Sequence, residues 1–373
     1  MTGAGLVMTV RGPIAVKDLG ITLMHEHLLI DLTHLWDPPT SDWQAPLVDS
    51  VPTLANRGLL QVDPYVSRPN LLLDEPDVAV AELSPYRQLG GGSVVELTIR
   101  GISPQAVSLR TVSEQSGVHI VAGCGYYTQR AHPPEVAALS EAELIERLVD
   151  DIANGLGSTD VRPGIIGEIG TSSPIHPDEA KVLRVAAAAQ ARTGLAINVH
   201  VAIFRREALA ALDILEAAGA DLTRVVISHL DEQLDTAYHR SVLERGAYVE
   251  YDTFGSEVYF DGEGLAEPSD RERLSALIEL LDAGWADRLL IAHDVCTKMQ
   301  LLKYGGLGYA HILRSIVPRL KRRGVDAAMV QRLLVDNPAR CWRSIPSRCM
   351  ISPWVGKPRR TPIGTARCGC NRR

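Results

Sequence analysis

Residues 20–27, GITLMHEH, place an apolar run directly before two histidines that are separated by one residue. Seven more short apolar runs rich in β-branched residues follow along the chain, and longer stretches with helical periodicity separate them. The eight runs span residues 21–24, 93–98, 118–122, 164–169, 196–201, 224–228, 247–251 and 288–292. Short runs of this kind indicate strands that are buried on both faces. Eight strands alternating with helices predict an α/β fold, namely a closed (β/α)8 TIM barrel rather than an open sheet.

The intervening stretches carry clear helix signals. In residues 141–156, Leu144 and Leu148 fall on one helical face, and Ser140 with Glu143 has the spacing of a capping box. Further helices are predicted over residues 179–192, 205–218, 233–245, 269–283 and 326–335.

The domain organisation follows from where this alternation holds. Residues 31–92 interrupt it with a long, Pro-rich connection, which we expect to be an elaborated loop with some helix that shapes the active site. We assign residues 8–342 to a single barrel domain. Residues 343–373 form a basic tail rich in Cys, Arg and Pro, and we expect this tail to be disordered or an aberrant end.

Composition excludes several classes of function. The 373 residues carry a formal net charge of −7, and eight of the 38 basic residues lie in the last 33 positions, which contain no Asp or Glu. The remaining body is therefore strongly acidic, which argues against nucleic acid as a partner. No apolar stretch approaches the roughly 18 residues that a membrane span requires, and no export signal is evident. We expect a cytoplasmic protein without a disulfide framework and with no membrane partner.

Six metal-ligating side chains occur at the ends of the predicted strands. They are His25 and His27 after the first strand, Glu168 in the fourth, His200 after the fifth, His229 after the sixth and Asp294 after the eighth. A single histidine at a strand end is more often a satisfied polar residue than a ligand. Because the carboxyl ends of barrel strands converge on one rim, six such residues together predict a metal site.

The spacing and chemistry of these residues suggest how two ions are shared. Imidazole and carboxylate ligands suit zinc, manganese, iron or cobalt, and a central carboxylate can bridge two of these ions. One ion would take His25, His27 and Asp294, and the other His200 and His229, with Glu168 shared. Water held between two cations ionises near neutral pH and becomes a nucleophile. Asp294 is the predicted catalytic residue, because it can accept the proton of that water.

The motifs in the chain resemble those of the phosphotriesterase family of the amidohydrolase superfamily. The resemblance runs from about residue 10 to residue 342 and includes TVRGPI, LGITLMHEHL, AGCGYYT, GIIGEIGTS, NVH, SHLDE and AHD, in that order. It is closest to the phosphotriesterase-related branch through VEYDTFGSE and AHDVCTKMQLLKYGGLGYAHIL. The likeness implies a barrel hydrolase with a binuclear metal site, usually containing zinc, and it implies the same six ligands.

Two departures from the family pattern bear on the substrate. Founding members bridge their ions with a carboxylated lysine, whereas GIIGEIG offers Glu168, as in the glutamate-containing branch. Tyr127 matches a tyrosine that lies over the bridging water in lactonase members. The arginine that those lactonases carry after the Asp of strand seven is replaced here by Thr253, which follows Asp252. Phosphotriesters are therefore expected to be accidental substrates at most.

Other polar residues near the rim have both a functional and a bland interpretation. Asp231 and Glu232 are candidates for a proton relay behind Asp294 or for simple loop capping. Lys298 lies in the last long loop, where it could bind an anionic substrate group or remain a solvated lysine. Specificity is expected to come from loops 38–76 and 254–268, whose pocket shape one sequence does not give.

The leading prediction is a binuclear metal-dependent hydrolase whose bridging hydroxide attacks a small carboxylic ester or lactone. The alternative is a hydrolase of N-acyl amides, either N-acyl amino acids or N-acyl sulfonates. A different class of function is a non-catalytic barrel that binds a metal or a ligand. The expected partner is a small molecule, and since such barrels often pair through their rims, a homodimer is also considered.

Overall fold

The computed structural model describes residues 5–260, 262 and 264–342. Eight parallel strands form one sheet that curves into a barrel, and their spatial order follows their order along the chain. The strands are β1 (Ile21–Glu26), β2 (Gly91–Glu96), β3 (His119–Cys124), β4 (Ile165–Gly170), β5 (Ile197–His200), β6 (Val225–Ile227), β7 (Tyr248–Tyr251) and β8 (Leu289–Ile291). Each strand overlaps one predicted apolar run. The predicted (β/α)8 barrel is confirmed.

The barrel closes at a seam, which is the junction of β1 with the chain that leaves β8. The Asp294 amide donates a hydrogen bond to the His25 carbonyl oxygen at 3.2 Å. The buried Glu26 carboxylate accepts hydrogen bonds from the His293 amide at 3.0 Å and the Val295 amide at 3.1 Å. A side chain of the first strand thus satisfies backbone donors next to the last strand, where an unpaired buried amide would be costly.

Helices cover the outside of the barrel. The α-helices span Arg57–Val62, Pro76–Gln88, Ala106–Ser116, Glu135–Ala138, Glu141–Asn154, Pro177–Thr193, Ala208–Ala217, Thr236–Glu244, Asp270–Asp282, Val317–Arg322, Ala327–Gln331 and Asn337–Arg340. The Ser140 and Glu143 capping box is present at the start of Glu141–Asn154. The predicted helix 326–335 is correct in place, but Arg332–Asp336 adopts π-helical geometry.

The connection 31–92 is more regular than its proline content indicates. Ile30–Asp31 pairs antiparallel with Leu72–Leu73, and the helix Pro76–Gln88 leads the chain back to β2. Buried Asn70 fastens the connection, because its side-chain amide donates to the Pro64 carbonyl at 2.8 Å and accepts from the Met299 amide at 2.8 Å. The loop therefore presents a fixed surface above the carboxyl ends of the strands.

The amino-terminal end of the barrel is covered by the two ends of the described chain. A hairpin of Leu6–Thr9 and Gly12–Ala15 lies against it, and the Val10 amide donates to the Ile120 carbonyl at 2.9 Å. The buried Trp342 indole donates to the Gly164 carbonyl at 2.8 Å. A side chain at Gly164 would collide with the Met8 carbonyl, so the close approach of the hairpin to residue 164 requires glycine. The opposite, carboxyl end is left for a functional site.

The extent of the packed core supports the predicted domain organisation. Within the described residues, most buried apolar side chains from Val7 to Trp342 belong to one continuous core, as expected for a barrel wrapped by helices. A small second cluster consists of Leu47, Leu60, Val66, Val258 and Met299. We therefore keep residues 8–342 as our proposal for a single domain. The predicted tail, residues 343–373, lies outside the described residues.

Candidate metal centre

The structure brings all six predicted ligands to the carboxyl end of the barrel, with Glu168 at their centre. Its Oε2 atom lies 3.4 Å from His25 Nε2 and 3.4 Å from His229 Nε2, and its Oε1 atom lies 3.2 Å from His27 Nε2. His200 approaches through its other ring nitrogen, with Nδ1 3.3 Å from Glu168 Oε2. Four imidazoles from three strands thus converge on one carboxylate.

The six predicted ligands can be described as two groups, one on each side of Glu168. Asp294 Oδ1 lies 3.3 Å from His27 Nε2 and 3.6 Å from His25 Nε2. On the other side, His200 Nδ1 and His229 Nε2 are 2.8 Å apart. Each group has ligand atoms close enough together to hold one ion. Glu168 faces both groups.

The backbone at two of these residues is unusual. His229 has a φ of 59° and Asp294 has a φ of 48°, which places both in the left-handed region. This conformation costs an ordinary residue about 1–2 kcal/mol. Such residues concentrate at functional sites, where the surrounding structure holds them in place. Both occur directly after short strands, where a turn aims the side chain back over the barrel.

The donor atoms fit divalent cations. Among the described residues, His25 Nε2, Glu168 Oε2 and Asp294 Oδ1 are buried and have no hydrogen-bond partner. Buried polar atoms are normally paired, so three orphaned atoms that face one point require an explanation. Neutral imidazole nitrogens and carboxylate oxygens are the ligands that zinc, manganese, iron and cobalt accept. The residues present therefore fit a metal site.

One carboxylate fixes two of the histidines from behind. Asp252 Oδ2 lies 3.1 Å from His25 Nδ1, and Asp252 Oδ1 lies 3.2 Å from His229 Nδ1. The same carboxylate accepts the His229 amide at 3.0 Å. A carboxylate at Nδ1 keeps the proton there and leaves Nε2 free to bind a cation. Sequence reasoning missed this role, although Asp252 follows β7 as Asp294 follows β8.

His27 is oriented by a relay of neutral and acidic groups. Its Nδ1 lies 2.9 Å from the Thr98 hydroxyl oxygen, and that hydroxyl donates to Glu96 Oε1 at 2.6 Å. The hydroxyl proton is thus committed to Glu96, and the oxygen accepts from the imidazole. The available signal was the ELT sequence at the end of β2, which places a threonine two residues after a buried glutamate.

The carboxylates dominate the electrostatics of this cluster. Burial alone would lower the pKa of His27, but the hydrogen bonds to Asp294 and Glu168 outweigh burial and raise that pKa to about 9. Burial likewise opposes ionisation of Glu168, but the nearby His25 and His200 hold the pKa of this carboxyl well below its usual range. A site that favours positive charge on buried imidazoles also favours bound cations.

The two acidic residues after His229 have different positions. Asp231 accepts hydrogen bonds from the Asp252 amide at 3.2 Å and the Thr253 amide at 3.0 Å. Burial, opposed by Arg273, raises the pKa of Asp231 to about 7. These contacts match the capping alternative and place Asp231 behind Asp252 rather than behind Asp294. Glu232 instead lines the cavity described below.

Tyr127 lies over the ligand cluster, and its hydroxyl is 3.3 Å from His200 Nδ1. Burial raises its pKa well above the usual value, so the hydroxyl remains a neutral donor.

The prediction for Lys298 needs correction. Its ammonium group donates to the Leu72 carbonyl and lies 3.3 Å from Asp74 Oδ1, away from the cavity. Lys298 thus fastens the 31–92 connection to the last loop.

A cavity of about 410 Å³ opens directly above the ligands. Both loop regions that were expected to determine specificity contribute to its wall. Tyr65 comes from the first of them, and Val258 and Phe260 come from the second. Two further loops contribute side chains that the sequence did not single out, among them Arg205 and Cys296. The cavity has the size of a small-molecule site.

In the part of the chain that the structure describes, no helix has the length and apolar character that a membrane span requires. A barrel with a buried cluster of histidines and carboxylates beneath a small-molecule cavity is the arrangement typical of metal-dependent hydrolases of the TIM-barrel type.

Comparison with known proteins places this hydrolase more narrowly. The sequence model of the phosphotriesterase family matches residues 5–342. The chain is 39% identical over 339 residues to an N-acetyltaurine hydrolase of Tetraodon nigroviridis, and the match covers 90% of this chain and 97% of the relative. The chain belongs to the phosphotriesterase family.

Solved structures agree with this assignment. The crystal structure of a resiniferatoxin-binding protein from Rhodobacter sphaeroides superimposes with a TM-score of 0.90 and 40% identity, covering 92% of this chain and 97% of that one. A lactonase from Listeria monocytogenes superimposes with a TM-score of 0.73 and 25% identity, covering 90% and 98% of the two chains. Relatives with this fold therefore differ in what they act on or bind.

Proposed function

We propose that this protein hydrolyses small N-acyl amides. The observation that carries the proposal is the similarity, over 90% of this chain, to relatives named for the hydrolysis of N-acetyltaurine, which is an N-acyl amide. The sequence placed a carboxylic ester or lactone first and the amide second; the names of the relatives support the amide, and we therefore propose it first. The lactone is further disfavoured because Thr253 stands where lactonase members carry an arginine, and the Thr253 hydroxyl donates to Asp231 Oδ2 at 3.0 Å.

The proposed site holds two divalent cations, most simply zinc. His25, His27 and Asp294 would hold one ion, His200 and His229 the other, and Glu168 would contact both. When bound, such ions lower the pKa of a water molecule and polarise an acyl carbonyl oxygen. Asp252 and Thr98 support this role because they fix the ring orientations of the proposed ligands.

The side chains around the cluster supply the remaining chemistry. The Asp294 side chain is 18% exposed and faces the cavity, so its carboxylate can accept a proton from the attacking water and deliver it to the departing amine nitrogen. The neutral Tyr127 hydroxyl can donate a hydrogen bond to the substrate above His200. The products of water and an amide are then a carboxylic acid and a free amine.

The wall of the cavity favours a small acyl group. Apolar side chains from three loops, among them Leu35, Ile203 and Val258, close over the cluster. A volume of about 410 Å³ lies near the lower end of the range for small-molecule sites, which is roughly 300–1,000 Å³. Short acyl chains therefore fit better than fatty acyl chains.

A substrate screen with metal analysis tests the proposal. Purified protein with a measured metal content is assayed against N-acetyltaurine, N-acetyl amino acids, small lactones, aryl esters and an aryl phosphotriester. We expect the highest kcat/KM on an N-acyl amide, loss of turnover after chelation, and recovery on adding zinc or manganese.

Two outcomes would contradict the proposal. Lactone turnover at least about tenfold above every amide would restore the ester interpretation, since tenfold corresponds to 1.36 kcal/mol of preferential transition-state binding. Metal-free protein that binds ligands without turnover would support the non-catalytic barrel. The predicted homodimer and cytoplasmic location stay predictions.

A further inference from the structure

Charged side chains are distributed unevenly around the cavity. Glu179 lines it but is committed to backbone amides, accepting from Gln129 at 2.8 Å and Ser172 at 2.8 Å. Arg130 also lines the cavity, and its guanidinium lies 2.8 Å from Asp37 Oδ1. Arg205 is different, since its guanidinium forms no ion pair with a carboxylate of the described residues. It is the cavity cation available to a ligand in this part of the chain.

Arg205 and its neighbour Arg206 point to different surroundings. They lie in the loop between β5 and the helix Ala208–Ala217, directly after Phe204, whose φ is 57°. Arg206 pairs with Asp235 and stacks on the Tyr238 ring, with 4.8 Å between the guanidinium carbon and the ring centroid. Arg205 lines the cavity instead. The left-handed turn at Phe204 thus precedes one arginine facing the cavity and one fixed outside it.

Aromatic contacts hold this loop at the rim of the cavity. The Phe204 and Phe260 rings are edge to face with centroids 5.6 Å apart, and Phe260 meets Tyr65 with centroids 5.5 Å apart. These are favourable aromatic geometries. Since the three rings come from loops after β5, β7 and β1, Arg205 is carried by a braced segment. A braced segment lowers the entropy cost of using its side chain for binding.

We propose that Arg205 binds an anionic group on the amine side of the substrate. The inference rests on the proposed function, which places the acyl carbonyl at the ligand cluster on the floor of the cavity. The amine portion then extends towards the mouth, where exposed Arg205 lies. The protein carries a net charge of −7, so an anionic group held at the mouth, away from the proposed metal ions, is favoured by a cation beside it. A guanidinium matches a sulfonate or carboxylate with two parallel hydrogen bonds.

This assignment makes Arg205 a specificity residue and not a member of the metal centre. It predicts that N-acyl amides with a sulfonate or carboxylate two carbons from nitrogen are preferred over neutral amides of the same length. Sulfonate and carboxylate both present a pair of oxygens to the same guanidinium, so the preference between them is left for the experiment to measure.

The test compares Arg205→Ala, Arg205→Lys and the matched control Arg206→Ala. Substrates are N-acetyltaurine, N-acetyl-β-alanine and neutral N-acetylethanolamine. For Arg205→Ala we expect KM for the anionic amides to rise about 10- to 100-fold, the loss typical of a charge-assisted hydrogen bond. The kcat values and the kinetics on the neutral amide should stay within about twofold, and Arg205→Lys should recover part of the loss. Arg206→Ala should behave as the wild type.

A binding measurement separates this inference from the proposed function. Ethanesulfonate is titrated calorimetrically into the metal-loaded wild type and both alanine variants. We expect binding to the wild type and Arg206→Ala and at least about tenfold weaker binding to Arg205→Ala. Equal loss on anionic and neutral amides, or equal ethanesulfonate binding by all three proteins, overturns the role of Arg205. A wild type that binds ethanesulfonate but cleaves no amide overturns only the proposed function.

Discussion

His27 and His239 are both buried, yet their surroundings act on them in opposite directions. The carboxylates of Asp294 and Glu168 raise the pKa of His27 to about 9 against the effect of burial. His239, in the helix Thr236–Glu244, has neutral partners: its ring nitrogens lie 2.9 Å from the Tyr251 hydroxyl and 3.0 Å from the Gln233 carbonyl. Burial there lowers the pKa to about 4. Burial alone lowers the pKa of a histidine and keeps it neutral, whereas several carboxylates close to the ring raise its pKa and favour cation binding at the same position.

The largest expected effect comes from removing a carboxylate charge from the surroundings of the site histidines. Glu168→Gln keeps the size of the side chain but removes the charge that faces four histidines. We expect bound metal to fall from the proposed two ions per chain to one or none and kcat/KM to fall about a thousandfold or more, since metal assistance supplies several kcal/mol. Elemental analysis with steady-state kinetics measures both. Glu146→Gln, at an exposed ion pair with Arg192, is the control. Full metal content in Glu168→Gln would remove this residue from the centre.

A smaller effect is expected from the carboxylate behind the rings. Asp252→Asn leaves the four proposed histidine ligands in place but weakens their orientation, because Asp252 contacts both His25 and His229. We expect metal affinity to fall about 10- to 100-fold, the usual loss on removing such a partner. Competition with a chelator of known affinity measures the change. Unchanged affinity would mean that the rings are held in place without this carboxylate.

His239 gives the smallest expected effect, and it appears in stability rather than activity. Its folded pKa of about 4 lies below the ordinary value of 6.5, so the unfolded chain takes up the proton first as pH falls. Stability from this residue is complete above about pH 6.5 and is lost progressively towards pH 4. Between pH 7.5 and pH 5 we expect it to account for about 2 kcal/mol of the fall in unfolding free energy.

Urea unfolding of wild type and His239→Gln at the two pH values measures this contribution. Glutamine keeps a donor and an acceptor but does not titrate, so the variant should lose less stability on acidification. The site histidines are common to both proteins, and their contribution cancels in the difference. Identical pH dependence in the two proteins would show that His239 is as easily protonated when folded as when unfolded.

The same contrast shows what the sequence could predict. The six proposed ligands follow a positional rule, since polar residues at the carboxyl ends of barrel strands must meet. His239 lies on a helix and does not follow that rule. The eight strands were also predictable, because continuous burial leaves an apolar run in each.

Other features depend on contacts between distant segments and left no local pattern. The direction of Lys298 is set by the Leu72 carbonyl, more than 200 residues away. The role of Asp252 depends on two rings supplied by β1 and β6, and Arg205 acquires its position from a turn braced by Phe260. Pairing between such segments is a property of the folded chain, so a single sequence did not reveal it.

The seam has a further consequence. Of the proposed ligands, His25 lies in β1 and His27 directly after it, whereas Asp294 follows β8. The Asp294 amide donates a hydrogen bond to the His25 carbonyl. A cation bound by these three residues would link the two sides of the seam at which the barrel closes. Because the ion would bind the closed barrel and not the unfolded chain, the free energy of unfolding would rise with the concentration of free metal ion.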